Sequence, residues 1–351
     1  MSLQIISLQG TPQEMGARHG ELLAEGARAM CETRIELCLR AGGGMTREEL
    51  LALAGRSLPV FESFSPDTYA EFCGIAQGAG ISREELLIGN GYTDFVDLVR
   101  RTAAGPSECT HMAVLPPASA DGKLYVGQTW DMSATAYPHV VAFARSPKSA
   151  PATLTLTTTG CLALIGLNEH GIAVGNTNLT PHDARDGIMY LATLHTALAQ
   201  TSFEAAVRVV TEAPRMSGHY FYVGGPEGQF AGIETTALRH AHLAPDAIGV
   251  FAHANHYDTP DMIDYVSQDS PSENSVTREA RMWELLRGVA QRELDSLWAV
   301  FPDHEAPLCR HTTEETGGRT CAAVLMSPGE RLIRMCKGNP CEAKYVEAAL
   351  T

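Results

Sequence analysis

GPSECTHMAV, residues 105–114, marks the place where one texture of sequence gives way to another. Upstream of Gly105-Pro106, residues 1 to about 104 read as mostly helical behind one short strand, LQIISL. Thr11-Pro12-Gln13-Glu14, Thr46-Arg47-Glu48-Glu49 and Ser82-Arg83-Glu84-Glu85 each set a hydroxyl three residues ahead of a glutamate. In that pattern the hydroxyl accepts the third helical amide and the glutamate accepts the capping residue's own amide. Pro12 occupies the first helical position, where no N–H is needed. Three helix starts are thereby marked. The echo of TREELL in SREELL reflects two capped helices and no repeat, since the spans between them do not match.

Downstream, HMAVLPP, KLYVGQTW, HVVAFAR, ATLTLTT, CLALIGL and GIAVGNTN are short apolar or alternating runs punctuated by Gly, Pro, Asn and Asp. They read as the strands of a multi-stranded antiparallel sheet. A helical block over roughly 188–212 follows, its second helix starting at Thr201-Ser202-Phe203-Glu204. Next come the strands HYFYVGG, GQFAGIET and AIGVFAHA, a helical stretch over about 275–300, and the closing pair CAAVLMS and RLIRMCK around a Pro-Gly turn. Runs of strands between runs of helices imply an α+β fold, not an alternating parallel one.

The 351 residues carry 41 acidic against 26 basic side chains, a formal charge of −15. That balance excludes nucleic acid and anionic membranes as expected partners and favours a neutral or cationic substrate over a polyanion. No apolar run approaches the roughly 20 residues of a membrane span. The amino-terminal stretch lacks a basic n-region, so the expected location is cytoplasmic. Nine cysteines, an odd number without an export signal, argue against a disulfide framework. With no CxxC, no Cys-Cys…His-His spacing and no HExxH, no metal is expected. His253 and His256 in HANH sit three apart, but GVFAHANHYD reads as a strand running into a loop. Neither GxxxxGK[ST] nor GxGxxG occurs, so no cofactor is expected.

Cys109 falls at the first or second residue of the strand that opens the β-rich part, just after a turn. From position alone it is either one more inert core thiol or a nucleophile within reach of substrate.

Six stretches, in order, bear on that choice: GTPQEMGARHGELL at 10–23, GIAQGAGISREELLIGN at 74–90, ECTHMAV at 108–114, GQTWDM at 127–132, IGLNEHGIAVGNTNL at 165–179 and HANH at 253–256. Together they resemble the penicillin acyltransferase-like family, the isopenicillin-N acyltransferases among the N-terminal nucleophile hydrolases. The resemblance covers nearly the whole chain and implies a four-layer αββα sandwich. It also implies a precursor that cuts itself between Glu108 and Cys109, giving a mainly helical pro-segment, 1–108, and a catalytic chain, 109–351, within one compact domain.

The implied chemistry solves an activation problem. A free α-amine has a pKa of about 7.7–8 and a thiol about 8.5, so the amine of a terminal Cys109 can take its own thiol's proton. Before cleavage that nitrogen is an amide and cannot. By the same resemblance Asp131 positions the new ammonium and takes part in processing, and Asn255 donates its side-chain N–H to the tetrahedral oxygen. Arg319 aligns with an arginine that binds a substrate carboxylate. The expected activity is that of a self-processing cysteine amidohydrolase or N-acyltransferase acting on a small amide or acyl donor, with hydrolysis favoured because no cluster of Lys and Arg suggests a coenzyme-A cradle. Homo-oligomerisation stays open.

Three departures stand out. Glu108 replaces the family's glycine, GQTWD replaces GQNWD through Thr129, and Ser217-Gly218-His219 lacks a serine that the family carries one position later. Glu108 keeps alive a second class, an uncleaved, non-catalytic scaffold. A third is a conventional cysteine hydrolase with His111 or His253 as base, although a residue two along a strand lies about 6.6–6.8 Å away.

Overall fold

The computed structural model describes residues 3–100, 107–263, 266, 273–312 and 317–351. The Gly105-Pro106 turn lies outside them. The strand β1 (Ile5–Gly10) leads into six helices, α1 (Pro12–Leu22), α2 (Ala24–Ala41), α3 (Arg47–Phe64), α4 (Pro66–Ala79), α5 (Arg83–Asn90) and α6 (Tyr92–Val99). All three capping boxes form, at Thr11/Glu14, Thr46/Glu49 and Ser82/Glu85. The glycines of the first two quoted motifs let α1 and α4 touch backbone to backbone. A Cβ at Gly16 would lie 1.9 Å from the Glu71 carbonyl oxygen, and one at Gly78 2.2 Å from that of Ala17. Any side chain there forces the helices apart.

The remaining chain runs β2 (Ser107–Val114), β3 (Tyr125–Ser133), β4 (Val140–Pro147), β5 (Thr153–Thr158), β6 (Ile165–Asn168), β7 (Ala173–Asn178), α7 (Tyr190–Leu198), α8 (Phe203–Glu212), β8 (His219–Gly224), β9 (Phe230–Thr235), β10 (His240–Leu243) and β11 (Val250–His253). It closes with α9 (Pro260–Ile263), α10 (Glu273–Gly288), α11 (Leu294–Trp298), β12 (Gly318–Ser327), β13 (Leu332–Lys337) and β14 (Val346–Ala349). Among the described residues the strands form two sheets, ordered β1-β4-β5-β6-β7-β8-β9-β10 and β11-β2-β3-β12-β13-β14.

This corrects the single antiparallel sheet expected from the strand pattern. The same alternation serves either sheet, and β1 adds a parallel pair with β4 at one edge. Of CLALIGL only the end, from Ile165, is strand.

The sheets face each other. Cys109, Ala113, Val126 and Trp130 from one share a core cluster with Leu156, Ile165, Val174 and Tyr222 from the other. The His111 ring stacks on that of Tyr222 with 4.0 Å between centroids. On the outer face of the smaller sheet, Met112, Val114, Ala323 and Leu325 pack on Met282 and Leu286 of α10 and Trp298 of α11. On the outer face of the larger sheet, Leu8, Val141 and Phe143 pack on Met15 of α1. The result is the four-layer αββα sandwich. Because side chains alternate along a strand, β2 sends Cys109 and His111 between the sheets and Thr110 and Met112 toward α10.

Candidate active site

Cys109 is the third residue of β2, not the first or second, and it is 4% exposed. From position alone a thiol there is either a core thiol or one open to solvent; here the facing sheet covers it. It lines a small cavity with Thr93, Trp130, Met132, Leu164, Asn176, Asn178, Tyr190 and His219. The cavity offers about 10 Å³, room for a single water molecule at most. Burial, with the charge of Asp131 added, pushes the Cys109 thiol well above its ordinary value, against the Asp131 backbone N–H and Arg278. An intact chain therefore holds a protonated thiol.

The backbone of Cys109 is gripped from the α10 side. Its N–H donates to Asn255 Oδ1 at 2.8 Å, and its carbonyl accepts from Arg278 Nη1 at 2.6 Å. Arg278 also donates to Thr110 Oγ1 at 2.7 Å and, through Nη2, to Asn255 Oδ1 at 3.0 Å. Two donors converging on one atom assign it as the amide oxygen. Asn255 Nδ2 meanwhile donates to the Asn178 carbonyl at 2.9 Å. In the intact chain, then, Asn255 presents its oxygen and not its N–H to Cys109.

Asp131 stands directly across from Glu108 in the β2–β3 ladder, where β12 carries a bulge between Thr320 and Ala322. Its carboxylate is 1% exposed, and neither oxygen has a partner in hydrogen-bond geometry among the described residues. Burial pushes its pKa up to about 7, opposed first by the charge of Arg278 and then by the Thr320 hydroxyl, which faces it outside full hydrogen-bond geometry. Glu108 itself pairs with Arg310 Nη1 at 2.5 Å and lies 3.9 Å from Arg278 Nε. The bond expected to be cut thus has a carboxylate of shifted pKa on one side and two guanidiniums holding its flanking side chain.

The loop carrying Asn255 is built by a charged network. Asn255 N–H donates to Ser275 Oγ at 2.8 Å and Ala254 N–H to Glu279 Oε2 at 3.0 Å. His253 Nε2 meets Glu234 Oε1 at 3.0 Å, and Glu234 also takes the N–H groups of Asp258 and Thr259. HANH is therefore the strand-to-loop turn read from the sequence, with its histidines used to brace Asn255.

A profile of the family described as acyl-coenzyme A:6-aminopenicillanic acid acyl-transferase matches residues 118–342. The chain belongs to that family. It is 25% identical over 342 residues, 95% of this chain and 92% of the relative, to the 40 kDa form of acyl-coenzyme A:6-aminopenicillanic-acid-acyltransferase from Emericella nidulans. Among solved structures it resembles penicillin V acylase from Agrobacterium tumefaciens at 12% identity and a TM-score of 0.48, covering 69% of this chain and 86% of that one. It also resembles a mutant of conjugated bile acid hydrolase from Clostridium perfringens at 13% identity and a TM-score of 0.46, covering 69% and 97%.

Within this member of the family, Glu108, Cys109, Asp131 and Asn255 come together, and Arg319 does not join them. Its guanidinium sits 4.0 Å over the Tyr137 ring and donates to Asn339 Oδ1 at 2.6 Å, beside a separate cavity lined by Lys337 and Gly338. Sequence reasoning missed Arg278, whose place in α10 gave no motif. It also missed His219, which lines the cavity, accepts or donates at Thr93 Oγ1 at 3.2 Å, and is driven down to about 3 by burial.

Neither histidine considered as a base bonds the thiol. His111 Nδ1 is occupied by the Gly127 carbonyl at 3.0 Å, and His253 by Glu234. Of the other thiols, Cys161 takes a hydrogen bond from Arg34 Nη1 and Cys309 lies with Cys341, outside the cavity.

Proposed function

We propose that the protein is a self-processing enzyme that uses Cys109 as nucleophile and passes an acyl group to water or to an amine, with hydrolysis of a small amide favoured. The observation that carries this reading is the grip on the Cys109 nitrogen by Asn255 and Arg278, beside a partnerless Asp131 across from Glu108. In processing, the thiol sulfur attacks the Glu108 carbonyl carbon, the C–N bond breaks, and the thiol's proton ends on the Cys109 nitrogen. Asp131, poised near 7, exchanges that proton on the Glu108 side of the link. Water then opens the thioester, leaving a Glu108 carboxylate, a free thiol and an α-amine.

In turnover the amine, held by Asn255 Oδ1 and Asp131, accepts the thiol's proton and later returns it to the leaving amine. The oxyanion role of Asn255 requires its Nδ2 to exchange the Asn178 carbonyl for the reacting oxygen. Among the described residues no lysine or arginine lines the cavity, His219 is neutral, and Asp94 beside it is pushed up by burial. Trp130, Met132, Leu164 and Tyr190 therefore suit an uncharged acyl group. Acyl transfer is the second reading, supported by the Emericella relative, whose name gives acyl-coenzyme A and 6-aminopenicillanic acid.

Denaturing intact-mass analysis beside Cys109→Ala, with terminal sequencing, tests the first step. Two chains, the larger beginning at Cys109 and absent from the variant, support it. A single intact chain in both sinks it and favours the scaffold. Amide turnover with and without an acceptor amine then separates hydrolysis from transfer.

A further inference from the structure

His304, Cys309, His311 and Cys341 do not line the cavity at Cys109 and serve no step proposed there. Their four donor atoms fall within 4.8 Å of one another. His304 Nε2 is 3.2 Å from His311 Nε2, and Cys309 Sγ is 3.4 Å from Cys341 Sγ. His311 Nε2 is 3.3 Å from Cys341 Sγ and 3.9 Å from Cys309 Sγ. A tetrahedron with metal–sulfur bonds of about 2.3 Å and metal–nitrogen bonds of about 2.05 Å has edges of roughly 3.8 Å (S–S), 3.3 Å (N–N) and 3.6 Å (S–N). Each observed separation falls within a few tenths of an ångström of its edge. We propose that these four side chains bind one thiophilic divalent cation, Zn²⁺ by the chemistry of the donor set, in a closed structural site.

Three further features fit. Asn339 Nδ2 donates to Cys309 Sγ at 3.4 Å, and His311 Nδ1 lies 3.8 Å from Glu342 Oε1. The first is an outer partner that steadies a thiolate, and the second lies beyond hydrogen-bond reach. The loop is pinned independently: Cys309 N–H donates to the Asp303 carbonyl, and Asp303 Oδ2 takes Arg281 Nη2 at 2.8 Å. Finally, His304 and His311 are exposed and free to turn outward, yet each keeps a ring nitrogen within 4.8 Å of both sulfurs. Binding expels two thiol protons and leaves the imidazoles neutral, so the dication meets two thiolates and the site carries no net charge. A disulfide requires about 2.05 Å between sulfurs and explains neither ring.

The site ties the loop after α11 to the turn after β13. That loop carries Arg310, whose guanidinium holds Glu108 and whose backbone N–H donates to Thr320 Oγ1 at 2.8 Å. Asn339 connects it onward, donating to the Arg310 carbonyl at 2.7 Å while accepting from Arg319. The cation thereby fastens the scaffold on which the Glu108 side of the processing bond rests.

The test uses untagged full-length protein incubated with Zn²⁺ alone, desalted, and assayed for metal by mass spectrometry, beside Cys341→Ser and His304→Gln. Both variants change exposed side chains, so the fold tolerates them. The expected result is one Zn²⁺ per wild-type chain, loss of it in Cys341→Ser, and a tetrahedral thiolate spectrum when Co²⁺ replaces Zn²⁺. Cys109→Ala retains the metal whatever its effect on processing. The proposal is overturned if the wild type holds no more Zn²⁺ than Cys341→Ser, or if its mass shows Cys309 and Cys341 oxidised to a disulfide under reducing expression.

Discussion

The cavities at Cys109 and at Arg319 border the same β3–β12 ladder, yet they are built on opposite plans. The first offers about 10 Å³ and the second about 350 Å³. Around Cys109, buried polar atoms lack a partner in hydrogen-bond geometry among the described residues: both oxygens of Asp131, Asn176 Oδ1 and Asn178 Oδ1. Around Arg319 the guanidinium is stacked on Tyr137 and bonded to Asn339. A buried group without a partner costs free energy, and such costs concentrate where chemistry needs them. The closed pocket with its unpaired groups is where bonds are expected to change, and the open, satisfied one is where charge is merely held.

Removing the nucleophile tests this contrast most severely. Cys109→Ala abolishes both chain cleavage and turnover, as read by intact mass and amide assay, while Arg319→Ala leaves cleavage intact. Asp131→Asn slows processing by about 10²–10⁴-fold, the usual span of a positioned acid–base group. In the wild type the processing rate rises with pH through about 7 as that carboxylate ionises, and the variant shows no such step.

The same group gives a stability signature of opposite sense. Its folded pKa of about 7 exceeds its unfolded value near 3.8, so the folded state binds the extra proton and stability falls as pH rises between the two. In a Cys109→Ala background, Asp131→Asn makes that slope shallower in thermal melts by the share of one carboxyl, because Asp97, raised by burial to about 7, contributes in the same sense. An unchanged slope would show that Asp131 is not the partnerless carboxylate described.

Asn255→Ala lowers turnover by about 10²–10³-fold, the cost of one donor at a developing oxyanion. Arg310→Ala slows processing more modestly, because its pair with Glu108 is largely buried and its loss leaves that carboxylate only Arg278, 3.9 Å away. Arg319→Ala has the smallest effect on kcat. It shows itself, if at all, as a raised KM for substrates that carry a carboxylate.

Much of this was legible in residue order. The capping boxes and the Ser202 cap on α8 mark helix starts because they depend on atoms three residues apart. Alternation in β2 and β3 placed Cys109 at the head of a strand and Asp131 in the next. The assignment of strands to two sheets was not legible, since alternation is identical in both. Arg278 escaped because a lone arginine in an amphipathic helix carries no signal until α10 lies across Cys109. The metal-type cluster escaped for the same reason: Cys341 joins His304, Cys309 and His311 only after the β12–β13 hairpin folds back.

The sequence by itself determined the local elements, because these follow from short-range spacing, and its motif order carried the family resemblance that implied roles for Cys109, Asp131 and Asn255. Tertiary structure alone decided that the thiol is sealed, that Asp131 lacks a partner in hydrogen-bond geometry among the described residues, that Asn255 turns its oxygen toward Cys109, and that Arg319 stands apart. Burial and hydrogen-bond pairing depend on what the other sheet and α10 bring to each side chain, and no spacing along the chain encodes that.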